Sequence, residues 1–274
     1  MRTSSFLALA AVAIAVGAGH SAAAPIVFSA AGADAASVLA TVDAFRAVLG
    51  DPNNGTTAGS QPSGRREINW DGGGAGALAA VFPIPMTTFA NRGNVYTTPG
   101  TGFEISGQPT PEFGDINPTY PNIFTTFSSP RLFAPLGSNI LDVLFTVPGT
   151  TDVPALTTAF GVVFTDVDFA NVTSVAFFDE LNQLLGTFFA PTFDNGLTFL
   201  GVSFGAGEMV SRVRITLGNS PLGPNDGGAI DVVVLDDFLF AEPQAAVVPE
   251  PALLGLFGLS LAGMWIGRRR RARS

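Results

Sequence analysis

The hydrophobic positions of this 274-residue chain change period twice. Between Asp34 and Gly50, Val38, Val42, Phe45 and Leu49 recur at i, i+4, i+7 and i+11, the stripe of an amphipathic helix over about residues 35–49. Asp34 stands at the N-cap position and Gly50 just past the end, before the turn sequence Asp51-Pro52-Asn53-Asn54-Gly55. A helix ahead of a β chain is expected to cover the edge or end of a sheet, with an extended N-terminal arm as the alternative. From 138 to 240 the apolar residues come in short runs separated by turn residues. The predicted strands are 140–147, 159–165, 175–179, 184–189, 197–204, 210–217 and 230–240. The run near 213 alternates, with Val213, Ile215 and Leu217 facing one way and Arg212, Arg214 and Thr216 the other, as in a half-buried antiparallel strand.

Residues 51–137 carry neither period for long. Arg65-Arg66-Glu67 reads as a local charge network, Glu67–Trp70 as a short strand, and Asp71-Gly72 turns out of it. Nine prolines between Pro83 and Pro135 argue against central strands and helices while tolerating edge strands and ordered loops. Seven phenylalanines, from Phe82 to Phe133, recur through the same stretch, which a disordered linker would not hold, so the region is expected to pack on the domain. No repeat of 20–50 residues is visible. The fold class predicted is all-β: a jelly-roll-like antiparallel β-sandwich with one short N-terminal helix.

The two ends change the picture from fold to address. Arg2, an apolar run over Phe6–Gly17 and the small residues Ser21–Ala24 make a secretory signal peptide over 1–23. Cleavage after Ala24 would leave Pro25 at the new N-terminus, so Ala23 is the preferred site, and about residues 24–248 form the exported domain. At the other end, Pro249-Glu250-Pro251 precedes an apolar segment, 252–267, and then Arg268, Arg269, Arg270 and Arg271. Sixteen residues make a helix of about 24 Å, short for a hydrocarbon core of about 30 Å. Trp265 beside the arginines suits a headgroup interface, and the arginines are expected on the cytoplasmic side. The tail resembles the PEP-CTERM sorting domain, carried by its Pro-Glu-Pro, apolar segment and basic end in that order. The resemblance covers 249–274 alone. It implies a Gram-negative bacterium, recognition of the tail by a membrane-embedded exosortase with cleavage near the motif, and a link to exopolysaccharide or biofilm production.

Composition restricts the chemistry of the body. The chain has no Cys and no Lys, and its one His is His20, inside the signal peptide. Disulfides, thiol chemistry, Ser-His-Asp hydrolysis, Schiff bases and the usual zinc sites are excluded together. Between Pro25 and Val248, seven arginines stand against 21 acidic residues, a net charge of −14 that repels nucleic acid.

What remains is carboxylate chemistry. Asp166 and Asp168, at strand spacing, place two hard oxygen ligands on one face, where calcium is the fitting ion. Asp226 and Asp231, and the adjacent pair Asp236-Asp237 inside an apolar strand, form a second group; a buried carboxylate must be hydrogen-bonded, neutralised or metal-bound. The candidate calcium ligands are therefore Asp166, Asp168, Asp231 and Asp237. The plain alternative is a backbone hydrogen bond or pairing with Arg65, Arg66 or Arg131. Two carboxylates alone could hydrolyse a glycoside, but Glu67, Glu104, Glu112, Glu180 and Glu208 offer no pair that stands out. Trp70, Tyr96 and Tyr120 are too few for a broad sugar platform and are better read as packing. The run Phe160–Asp168, with Phe199–Phe204 and Leu235–Phe240, resembles uncharacterised exported bacterial β-sandwich proteins, which supports the fold and implies no catalytic residue. The expectation is an envelope or extracellular-matrix protein, not an enzyme, acting as an interaction or structural module with weak carbohydrate binding assisted by calcium. A carboxylate-based polysaccharide hydrolase is the alternative.

Overall fold

The computed structural model describes residues 24–205 and 207–246. The signal peptide, the apolar segment 252–267, and the sorting residues Pro249, Glu250, Pro251 and Arg268–Arg271 lie outside the described residues.

In chain order the elements are β1 (Ile26–Gly32), α1 (Ala35–Leu49), β2 (Arg65–Ile68), β3 (Ala80–Phe82), β4 (Asn94–Thr97), β5 (Gly102–Ile105), α2 (Tyr120–Ile123), β6 (Phe133–Leu136), β7 (Ile140–Phe145), β8 (Ala155–Leu156), β9 (Ala159–Val167), β10 (Ser174–Phe178), β11 (Leu184–Phe189), β12 (Phe193–Ser203), β13 (Arg212–Thr216), β14 (Val234–Ala241) and β15 (Gln244–Ala245). An eight-stranded sheet runs β1-β12-β9-β14-β6-β5-β3, with β2 also on β14, and a five-stranded sheet runs β11-β10-β13-β7-β4. The strand pairs within both sheets are antiparallel. The chain crosses between sheets at β3–β4, β4–β5, β6–β7, β9–β10, β11–β12, β12–β13 and β13–β14, and from β7 to β9 by way of β8, the interleaving that makes a jelly-roll-like sandwich.

One continuous core fills the space between the sheets. Phe160, Val162, Phe164, Phe238 and Phe240 from the large sheet meet Tyr96, Leu141, Val143, Phe177, Val213 and Ile215 from the small one. Burial alternates along β13 as its sequence requires, and the outward Arg214 pairs across the ladder with Asp142 of β7.

The helix forms where its period places it. Asp34 Oδ1 accepts the Ser37 N–H at 2.9 Å, and Gly50 closes the end at φ +88 with its N–H on Arg46 O. Its stripe Val38, Val42, Phe45 and Leu49 is buried against Val163, Leu197, Phe199 and Leu239, each such side chain contributing about 1.5–3 kcal/mol. α1 thus lies on the outer face of the large sheet, and its contacts run mainly to β1 and β12. A pair of glycines admits it: Gly201 and Gly161 face each other across β12 and β9, and a Cβ on either would sit 2.9 or 2.6 Å from the Phe45 ring.

The proline-rich stretch packs on the domain as expected, but it also supplies interior strands. β6 contains Pro135 and lies between β14 and β5, not at an edge. The missing N–H is tolerated because β14 meets β6 at one residue pair, Leu235 with Phe133. The polar loop ahead of β2 is held by a buried ion pair. Arg66, fully buried, reaches Glu242 through Nη2 at 2.7 Å and Nε at 2.9 Å, while its Nη1 donates to Gly55 O. Glu242 in turn accepts from Asn54 Nδ2 and Gln61 N–H. The local network extends accordingly: Arg65 and Arg46 both bond Glu67, but Arg66 reaches across the chain to Glu242.

Candidate functional site

The adjacent aspartates of β14 owe their position to a bulge. Leu235 pairs Phe164 and Phe238 pairs Val162, so two residues of β14 oppose one of β9. Leu235 and Phe238 both enter the central core. The extra residue lets Asp236 and Asp237 escape it together, under the loop at Phe127 and Ser128. The N–H groups of Phe127 and Ser128 donate to Asp236 Oδ2 at 2.6 and 3.3 Å, and Ser128 Oγ bonds Asp237 Oδ1 and stands 3.1 Å from Asp236 Oδ1. No arginine is hydrogen-bonded to either carboxylate among the described residues; the donors from outside the pair are backbone N–H groups and one hydroxyl.

Burial, then the neighbouring Asp237 charge, pushes Asp236 well above the usual carboxylate range. Burial also raises Asp237, although the hydrogen bond from Asp236 opposes this. One serine hydroxyl has one proton to give, so the pair is read as neutral Asp236 donating to ionised Asp237. Folding then takes up a proton wherever an unfolded Asp236 would be ionised. Below about pH 4 both states are protonated and the stabilising effect is fully present; above it stability falls by about 1.4 kcal/mol per pH unit until the raised folded value is passed. Asp236→Asn keeps both the donor and the acceptor. Urea unfolding is expected to show this variant more stable than wild type at pH 7, with the two curves converging near pH 4.

A second carboxylate cluster gathers at one end of the large sheet. Asp166 sits in β9 with φ +66, and Asn195 with φ +54 occupies the facing irregularity in β12, where Phe193 pairs Val167 and Leu197 pairs Thr165. The Asn195 N–H donates to Asp166 Oδ1 at 2.8 Å. One oxygen from each of Asp166, Asp168 and Asp194 lies within 4.8 Å of the others. Asp231 joins from the segment before β14: its Oδ2 takes the Phe169 N–H at 3.4 Å. Asp226 accepts the Val232 N–H at 3.1 Å. Burial, with the charges of Asp168, Asp226 and Asp194 added, raises Asp166 to about 8. Burial and the charges of Asp168 and Asp226 raise Asp231 to about 6. Asp168 is raised by burial, then by Asp194 and Asp226.

Of the four expected calcium ligands, the structure brings Asp166 and Asp168 together, with Asp194 as the third member, while Asp231 stands beside this group, against the Asp168–Phe169 peptide. Asp237 lies apart, at the bulge beside Ser128. Asp194 is hidden in the sequence because Asp194-Asn195-Gly196 has the composition of a hairpin turn; two oxygen-bearing side chains before a glycine are the available signal.

The aromatic candidates are packing residues. Trp70, Tyr96 and Tyr120 are 2%, 0% and 0% exposed, and Trp70 is stacked on Phe133 at 4.0 Å between ring centroids. A cavity of about 330 Å³ beside Trp70 is also lined by Phe89, Arg92 and Arg131. Another, of about 340 Å³, is mostly apolar, with Leu144, Phe145 and Leu156, and carries Asp152 and Glu180 in its lining. Among the glutamates, burial alone would raise Glu67, but the Arg46 and Arg65 guanidiniums outweigh it and hold the carboxylate below its ordinary range. Burial raises Glu104 and Glu112, with Asp115 adding to the effect at Glu104.

Comparison with known families places the PEP-CTERM protein-sorting motif at residues 247–271. No curated protein and no solved structure matches the chain. The motif implies an exported protein, recognised by an exosortase and sorted to the cell envelope or surface.

Proposed function

Starting from a chain that is exported and sorted through its PEP-CTERM tail, we propose that the body is a non-catalytic module of the cell surface or extracellular matrix of a Gram-negative bacterium. It acts by interaction, with exopolysaccharide as a weakly held partner. The tail engages the membrane through 252–267 before processing.

The observation that carries this reading is the way the body's aromatic rings and its central aspartate pair are occupied. Its Trp and Tyr rings are buried in packing, and the Asp236-Asp237 pair is sealed by the Phe127–Ser128 backbone and the Ser128 hydroxyl. A glycosidase needs two carboxylates facing a substrate cleft, one as acid and the other as base or nucleophile. Carbohydrate contact on this body would use polar side chains and backbone, which fits weak binding. Incubation of the purified protein with exopolysaccharide from the producing organism tests it. Retarded migration in a polysaccharide gel without new reducing ends is expected. New reducing ends would establish the hydrolase instead, and unretarded migration would remove the carbohydrate partner.

A further inference from the structure

We propose that Asp166, Asp168, Asp194 and Asp231 form a calcium-binding site at the end of the large sheet. Asp166, Asp168 and Asp194 already bring one oxygen each within 4.8 Å of the others, no more than about twice a calcium–oxygen distance of 2.3–2.6 Å, and Asp231 adjoins them at the Asp168–Phe169 peptide. Carboxylates crowd together for other reasons, so convergence alone carries little. The second observation is Asp231. Its side chain is fully buried, its Oδ2 is held against the Asp168–Phe169 peptide, and its Oδ1 has no hydrogen-bond partner. Oδ1 of Asp168, a member of the cluster, is likewise a buried atom without a partner. An ionised carboxylate oxygen buried without a donor is strongly unfavourable, so the group either takes up a proton or meets a cation.

No side-chain cation supplies that role. Among the described residues the ion pairs use Asp43, Glu67, Asp51, Glu242 and Asp142, none of them in this cluster. The further charged group facing Asp166, Asp168 and Asp231 is another carboxylate, Asp226, which adds to the repulsion. An all-oxygen set with neither imidazole nor thiolate selects a hard ion, and the irregular arrangement suits calcium's flexible six to eight ligands better than magnesium's strict octahedron. The site depends on neither catalysis nor polysaccharide binding.

The test is thermal unfolding of the full chain in EDTA and in CaCl₂, beside Asp168→Asn and Asp231→Asn. Extracellular calcium modules bind with Kd of about 10⁻⁴–10⁻³ M. Saturation at about one hundred times Kd is expected to raise the wild-type Tm by about 5–10 °C. Each asparagine variant is expected to melt above wild type in EDTA, because a repulsive charge is gone, and to lose most of the calcium response. This opposite sign separates metal binding from a merely structural role and does not depend on a variant that misfolds. A wild-type Tm that ignores calcium, a full response in both variants, or an equal response to MgCl₂ would overturn the assignment.

Discussion

Trp70→Ala is expected to lower the unfolding free energy by about 3–5 kcal/mol, the range for truncating a buried large aromatic. Trp70 is stacked on Phe133, and it meets Phe89 and Phe238 edge-on at 5.1 Å each. Its Nε1–H donates to the Asp236 carbonyl at 2.8 Å, tying the exit of β2 to the bulge of β14. The residue also holds φ +64, unfavourable for a bulky side chain, so packing must hold the backbone there. Alanine would lose the rings and the hydrogen bond and leave the unfavourable conformation in place. Trp70→Phe restores much of the ring contact and is expected to recover more than half of the loss. Chemical denaturation of the three proteins measures it. If Trp70→Ala instead kept its denaturation midpoint and lost only polysaccharide retention, the ring would be a ligand platform and the packing account would fail.

Much of the fold could be read from the chain because its signal is local. The four positions of the α1 stripe, Val38, Val42, Phe45 and Leu49, are its four buried residues, and Asp34 and Gly50 cap it as their side chains and backbone freedom require. The alternating runs after 138 became strands, with errors where a turn sequence is built into a strand. β12 begins at Phe193 because Asp194-Asn195-Gly196 forms an irregularity inside it, and β14 begins at Val234 because Ile230 first closes a tight turn on Gly227. β1 was not legible: Ser29-Ala30-Ala31-Gly32 offers little hydrophobic alternation, and pairing with β12 alone defines it. β3 to β6 are three or four residues each, too short for periodicity to register.

The candidate site divides in the same way. Asp166 and Asp168 were marked by spacing, and Asp231 by burial in an apolar context. Asp237 is six residues from Asp231, up to about 20 Å of extended chain, and nearness in sequence did not make them neighbours. Asp194 and the Arg66–Glu242 pair are brought in by topology, which no local pattern encodes.

Removal of the tail is the change with the largest expected effect on where the protein resides. Pro249-Glu250-Pro251, the apolar segment and the arginines form one contiguous signal within the matched stretch. The sandwich described for 24–246 uses none of these residues in its strands. A chain ending at Val248 is therefore expected to fold, be exported and fail to be sorted. The decisive measurement is cell fractionation of an exosortase-bearing host expressing either the full chain or this truncation. The full chain should be found in the envelope or on the surface, and the truncation free in the periplasm or medium. An identical distribution of the two would contradict the account.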